Sequence, residues 1–110
     1  MTDQIRRWTD RELDREVEER SVVLADLRAD WCSQCDPQER VIVRLLPEFD
    51  GRVAIGSVDV GLYPEVVDRH DVQTLPTLLV FRDGLLHRRL TGFKRAPAVR
   101  AAVLEALRRS

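Results

Sequence analysis

The segment Ser21-Val22-Val23-Leu24-Ala25-Asp26-Leu27-Arg28-Ala29-Asp30-Trp31-Cys32-Ser33-Gln34-Cys35 joins an apolar, β-branched run to two closely spaced cysteines. A run of this kind over residues 21–27 predicts a short interior strand covered on both faces. Asp26 interrupts it, and an ionised carboxylate is costly to bury without a partner or a task. Beyond the cysteines, Val41, Ile42, Leu45, Leu46 and Phe49 fall on one helical stripe that closes before Asp50-Gly51. The cysteines thus lie where a strand hands over to a helix. Amides there lack intrahelical partners and the helix dipole is positive, which stabilises a thiolate on Cys32. A thiol that titrates near ~8.5 in solution is brought to about 7 or lower in such a Cys-x-x-Cys setting. Two intervening residues let Cys35 reach Cys32 and resolve a mixed disulfide from within.

Working outward, Thr9-Asp10-Arg11-Glu12 has the spacing of a capping box, followed by Leu13 and Val17 one turn apart, and predicts a helix ending near Glu19. Residues 53–60 read as a second apolar strand, and Gly61-Leu62-Tyr63-Pro64 leads into a helix through Val66 and Val67. Leu78 to Phe81, the turn Arg82-Asp83-Gly84 and residues 85–91 predict an antiparallel pair of strands. Gly92 and Pro97 then break the chain before a last helix over 98–109, with Val99, Val103 and Leu107 on one face. The pattern is α/β: a mixed sheet flanked by helices, in one domain over residues 1–110, a length suited to a single compact core.

Composition excludes several functions. Charged residues make up 34% of the chain but sum to a net charge of −1, so no overall field draws it to nucleic acid. The opening Met1-Thr2-Asp3-Gln4-Ile5-Arg6-Arg7 holds no apolar core of a secretion signal, and no segment approaches the roughly 20 apolar residues that span a bilayer. A soluble, cytoplasmic protein without membrane contact is expected. Two cysteines in a reducing compartment point to redox or metal chemistry, not to a structural framework. Zinc needs four ligands, and His70 and His87 lack ligand spacing relative to Cys32 and Cys35, so no metal is expected.

Two local features act on the cysteines. Asp36-Pro37-Gln38-Glu39 is itself a helix start, and the expectation is a first turn beginning near Cys32 and distorted at Pro37. Asp36 adds negative charge that opposes ionisation of Cys32. Asp26, with its pKa raised by desolvation, is suited to take a proton from Cys35, directly or through a water; the alternative is a hydrated strand-end aspartate with no role.

Val23-Leu24-Ala25-Asp26, Ala29-Asp30-Trp31-Cys32-Ser33-Gln34-Cys35, Val58-Asp59-Val60, Thr74-Leu75-Pro76-Thr77, Phe81-Arg82-Asp83-Gly84 and Thr91-Gly92-Phe93 are together similar, in order and spacing, to the thioredoxin family over nearly the whole chain. The resemblance implies the thioredoxin fold and dithiol-disulfide exchange, with Cys32 as nucleophile, Cys35 as resolving thiol and no cofactor beyond this pair. It implies reduction of disulfide-containing partner proteins, recycling by a thioredoxin-reductase-type donor, and action as a monomer. Pro76 is expected to be a cis proline facing the cysteines, leaving Leu75 to pair with substrate backbone, with Trp31 and Gly92 completing an apolar rim. Departures concern potency. Ser33-Gln34 replaces the usual Gly-Pro and tunes the redox potential. Ile55 takes the place of the lysine that neighbours the buried aspartate, which is expected to leave Asp26 without a cationic partner. Arg40 stands for the kinking proline, and Arg28 for an aromatic, which is expected to make the substrate face more basic. Alternatives from other classes are a redox-inactive adaptor or chaperone docking through the Trp31, Pro76 and Gly92 surface, and a thiol oxidase or isomerase.

Overall fold

The computed structural model describes residues 5–49 and 51–108; the expectations for residues 1–4 and for Arg109 lie outside them. Along the chain run β1 (Arg6–Arg7), α1 (Asp10–Glu19), β2 (Val22–Arg28), α2 (Cys35–Phe49), β3 (Ala54–Asp59), α3 (Glu65–Arg69), β4 (Thr77–Arg82), β5 (Leu85–Thr91) and α4 (Ala96–Arg108). The strands form a five-stranded sheet in the order β1-β3-β2-β4-β5. β1 and β2 pair parallel to β3, while β4 pairs antiparallel to both β2 and β5. A parallel β2-β3 pair requires a crossover, and α2 is that crossover. The two-residue edge strand β1 was not foreseen, because Arg6-Arg7 carries neither β-branching nor alternation.

Alternation along the strands sorts the core into two layers. Val22 and Leu24 of β2, Ile55 of β3 and Leu78 and Val80 of β4 meet Ile42, Leu45 and Phe49 of α2 and Val99 and Val103 of α4. On the opposite face Val23, Ala25, Leu27, Val58, Leu79 and Phe81 meet Leu13 of α1 and Val66 of α3. β2 is therefore buried along almost its whole length, as its sequence predicts. Each fully buried Leu or Val contributes about 1.5–3 kcal/mol over an exposed one.

Helix ends obey local chemistry. Thr9 caps α1 in a full capping box, its Oγ1 accepting from the Glu12 amide at 3.0 Å and Glu12 Oε1 accepting from the Thr9 amide at 2.8 Å. Two readings of proline are corrected. Pro97 lies inside the first turn of α4 instead of ahead of it, where its missing N–H has no partner to lose. Pro37 does not distort α2: the helix begins at Cys35, the Gln34 carbonyl accepts from the Gln38 amide at 3.0 Å, and Pro37 again occupies a position that needs no donor.

Gly56 marks a close approach, because a Cβ there would run into the indole of Trp8, the buried residue that follows β1. Gly56→Ala is expected to lose about 1–3 kcal/mol by overpacking. A urea melt with an unchanged midpoint would show that Trp8 can shift at no cost.

Candidate active site

The end of β2 and the start of α2 bring the two cysteines together. The Ala29 carbonyl accepts from the Cys32 amide at 3.2 Å, and the Cys32 carbonyl accepts from the Cys35 amide at 3.3 Å, closing a tight turn. The sulfurs are joined in a disulfide across a Cα–Cα distance of 5.5 Å. Cys35 is the first residue of α2 and wholly buried, whereas Cys32 is part-exposed in the turn before it. The pair therefore sits at the positive end of the α2 dipole, with one sulfur facing out and one facing in.

A groove of about 300 Å³ runs beside Cys32, lined by Trp31, Ser33, Gln34, Gln73, Thr74 and Leu75. Trp31 is 72% exposed, yet its ring lies over Gly61, where an added Cβ would come within 3.1 Å of its Cζ3. The Leu75–Pro76 peptide bond is cis. Pro76 is buried behind the groove and its carbonyl accepts from the Gly92 amide at 2.9 Å, which brings Gly92 alongside. Gly92 has φ +82°, a conformation that L side chains adopt rarely.

Asp26 lies behind this surface. It shares the face of β2 that carries Val22 and Leu24, so it points into the layer occupied by α2. The residue is fully buried, and neither carboxyl oxygen has a hydrogen-bond partner among the described residues. Its pKa is raised from 3.8 to about 7, chiefly by burial and next by the Glu39 charge, against opposing effects of Arg28 and Arg7. The hydrated strand-end alternative does not survive this burial.

Arg7, Arg28 and Glu39 escaped the sequence reading as neighbours of Asp26. Glu39 Oε1 and Oε2 accept from Arg7 Nη1 and Nη2 at 2.8 and 2.9 Å, and Oε1 also accepts from Arg28 Nη1 at 3.0 Å. Arg28 Nη2 donates to Asp36 Oδ1 at 2.7 Å. Three expectations change accordingly. With Ile55 in place of a lysine, Asp26 still has cationic neighbours, reaching it from β1 and from its own strand. Arg28 is spent on two carboxylates and its side chain is only 16% exposed, so it adds little charge to the substrate face. Asp36 is paired with Arg28, which holds its carboxyl below the usual range and partly cancels its charge near the thiols. The signal for Glu39 was its place one turn after Cys35 on the same helix; for Arg7, distant in sequence, there was none.

The histidines do not join the site: His87 Nε2 lies 3.1 Å from Glu105 Oε1, and His70 packs edge-on against Phe81. Among the described residues no group of three or more His, Cys, Asp or Glu is placed to hold a metal ion.

A family model described as Thioredoxin matches residues 4–105. The chain belongs to the thioredoxin family. It is 34% identical over 86 residues to thioredoxins of Staphylococcus epidermidis and Staphylococcus aureus, covering 78% of this chain and 82% of each relative. Among solved structures, a mutant thioredoxin from Halobacterium salinarum superposes with a TM-score of 0.84 at 27% identity, covering 98% of this chain and 95% of that one. Oxidised mitochondrial thioredoxin 3 from Saccharomyces cerevisiae shares the fold, with a TM-score of 0.83 at 20% identity over 92% and 94% of the two chains. Thioredoxins reduce protein disulfides with their own cysteine pair, need no cofactor and are recycled by thioredoxin reductase. The Cys32–Cys35 disulfide is the oxidised form of such a dithiol–disulfide oxidoreductase.

A carboxyl that ionises near 7 keeps its proton in the folded chain at pH values where the unfolded chain, ionising near 3.8, has lost it. Stability therefore falls as pH rises from about 4 to about 7, then stays lowered. Asp26→Asn removes the penalty and is expected to stabilise the oxidised protein by roughly 2–4 kcal/mol at pH 8, the gain fading towards pH 4. Guanidinium unfolding across this range checks it; a gain that does not vary with pH would place the Asp26 carboxyl in water.

Proposed function

We propose that this thioredoxin works as a cytoplasmic monomer that reduces disulfides in partner proteins, with Cys32 attacking, Cys35 resolving and Asp26 accepting the proton. The observation that carries the assignment is the asymmetry of the pair: a part-exposed Cys32 at the groove, bonded to a fully buried Cys35 at the first position of α2.

The steps balance. In the reduced protein the Cys32 thiolate, favoured by the helix dipole, attacks one sulfur of the substrate disulfide and expels the other as a thiolate. A mixed disulfide forms through Cys32. The Cys35 thiol then gives its proton to the Asp26 carboxylate and attacks Cys32, releasing the second substrate thiolate and closing the Cys32–Cys35 disulfide. Two electrons pass to the substrate, whose thiolates take up protons from water. A carboxyl with a pKa of about 7 is matched to this transfer, since it can both accept and return a proton near neutrality.

The groove supplies recognition. Trp31 and Leu75 line the groove beside Cys32, and with Pro76 behind it and Gly92 alongside Pro76 they are suited to receive an extended segment, with the Leu75 backbone available for strand-like pairing. Ser33 and Gln34, both exposed between the cysteines, set how strongly the disulfide resists reduction. A donor of the thioredoxin-reductase type regenerates the dithiol. No described helix is long and apolar enough to cross a membrane.

Cys35→Ser is expected to accumulate mixed disulfides with proteins in a cell extract, while Cys32→Ser forms none. Non-reducing gels read the outcome directly, and equal trapping by both variants would overturn the assignment of roles.

A further inference from the structure

The charged cluster over Asp26 has no part in the steps above, yet its geometry is specific. Arg7 of β1 stands opposite Ser57 of β3, and Ser57 stands opposite Asp26 of β2, so the three form a row across one face of the sheet. Along that row Arg7 Nη1 donates to Ser57 Oγ at 2.7 Å and to Glu39 Oε1 at 2.8 Å. Arg28, two residues beyond Asp26 on β2, donates to the same Glu39 oxygen at 3.0 Å. Glu39 thus joins two arginines, and its side chain is only 15% exposed. It lies one turn along α2 from Cys35, on the helix side that packs over β2.

The remaining surroundings of Asp26 are neutral. β3 contributes Ser57, β4 contributes Leu78 opposite Asp26, and α4 packs apolar residues on this layer. The charged groups acting on the carboxyl are therefore Glu39, Arg28 and Arg7. The anion disfavours its ionised form and the two cations favour it. Glu39 and Arg28, with side chains 15% and 16% exposed, act with little screening, whereas the largely exposed Arg7 acts more weakly.

We propose that Glu39 is a positioning residue of the exchange reaction: by clamping Arg7 and Arg28 at the edge of the α2 layer, it fixes the charge balance at Asp26 and so the readiness of Asp26 to take the Cys35 proton. The inference rests on Asp26 being the proton acceptor. It assigns to arginines from β1 and from the end of β2 the role of cation at this carboxyl, and it gives the short edge strand β1 a part in catalysis.

Two variants with opposite signs test it. Glu39→Gln keeps the shape and one oxygen acceptor but removes the anion, so the Asp26 titration midpoint in the reduced protein is expected to fall by about half a pH unit or more. Arg7→Gln, on a side chain 62% exposed, removes a cation and is expected to raise it. Carboxyl carbon NMR reads the midpoint, and the rising limb of insulin reduction against pH should move in the same direction in each variant. A purely structural cluster would lower the unfolding midpoint and leave both titrations where they stand in the wild type, which would overturn the proposal. If instead the NMR midpoints move as stated while Asp26→Asn retains the wild-type rate profile, the clamp governs the carboxyl but Asp26 is not the acceptor. That outcome overturns the catalytic part of both readings.

Discussion

The burial of β2 on both faces is the constraint from which the site follows. Flanked by β3 and β4 and covered by helices above and below, the strand has no solvated side on which to place a polar residue. Asp26 in its middle therefore cannot be solvated. The chain also leaves the sheet at the carboxyl end of this central strand, where an open α/β sheet presents its functional turn. Cys32 and Cys35 occupy that exit. One packing decision thus supplies an accessible sulfur, a buried sulfur and a carboxyl of altered acidity within the same few residues.

The cost of this arrangement is moderated at its border. An isolated buried carboxylate is prohibitive, and the cation expected from related sequences is missing at Ile55. Here Arg7 and Arg28 approach from the margin of the layer, each also tied to Glu39; Arg7 stays near solvent, whereas Arg28 is largely covered and spent on Glu39 and Asp36. Gln38 ties α2 down on its other flank: its Oε1 accepts from the Lys94 amide at 2.8 Å and its Nε2 donates to the Lys94 carbonyl at 3.0 Å. The helix that carries Cys35 is thereby anchored to the loop after Gly92.

Much of this was legible in the chain. Capping chemistry at Thr9, the apolar run before the cysteines and the turn at Asp83-Gly84 all depend on neighbours in sequence, and each lands within a residue or two of its expected place. Trp31 and Leu75 of the groove lining could be named from motif order, whereas Gln73, which also lines it, carries no such signal. What stayed hidden are contacts across sequence: Arg7 to Glu39, Arg28 to Glu39 and Gln38 to Lys94 join residues 32, 11 and 56 positions apart. No periodicity encodes such pairs. Prolines 37 and 97 were misread for a related reason, since a missing donor is harmless in a helix's first turn and disruptive later, and sequence alone places the start only to within a turn.

The inequality of the two sulfurs has a kinetic corollary. Only sulfur 32 meets solvent, so under the proposed roles both the protein being reduced and the donor that restores the dithiol must approach through one doorway. The two cannot occupy it together. Turnover then alternates between a charged and a discharged form in ping-pong fashion, and an excess of either partner competes with the other for the same few side chains.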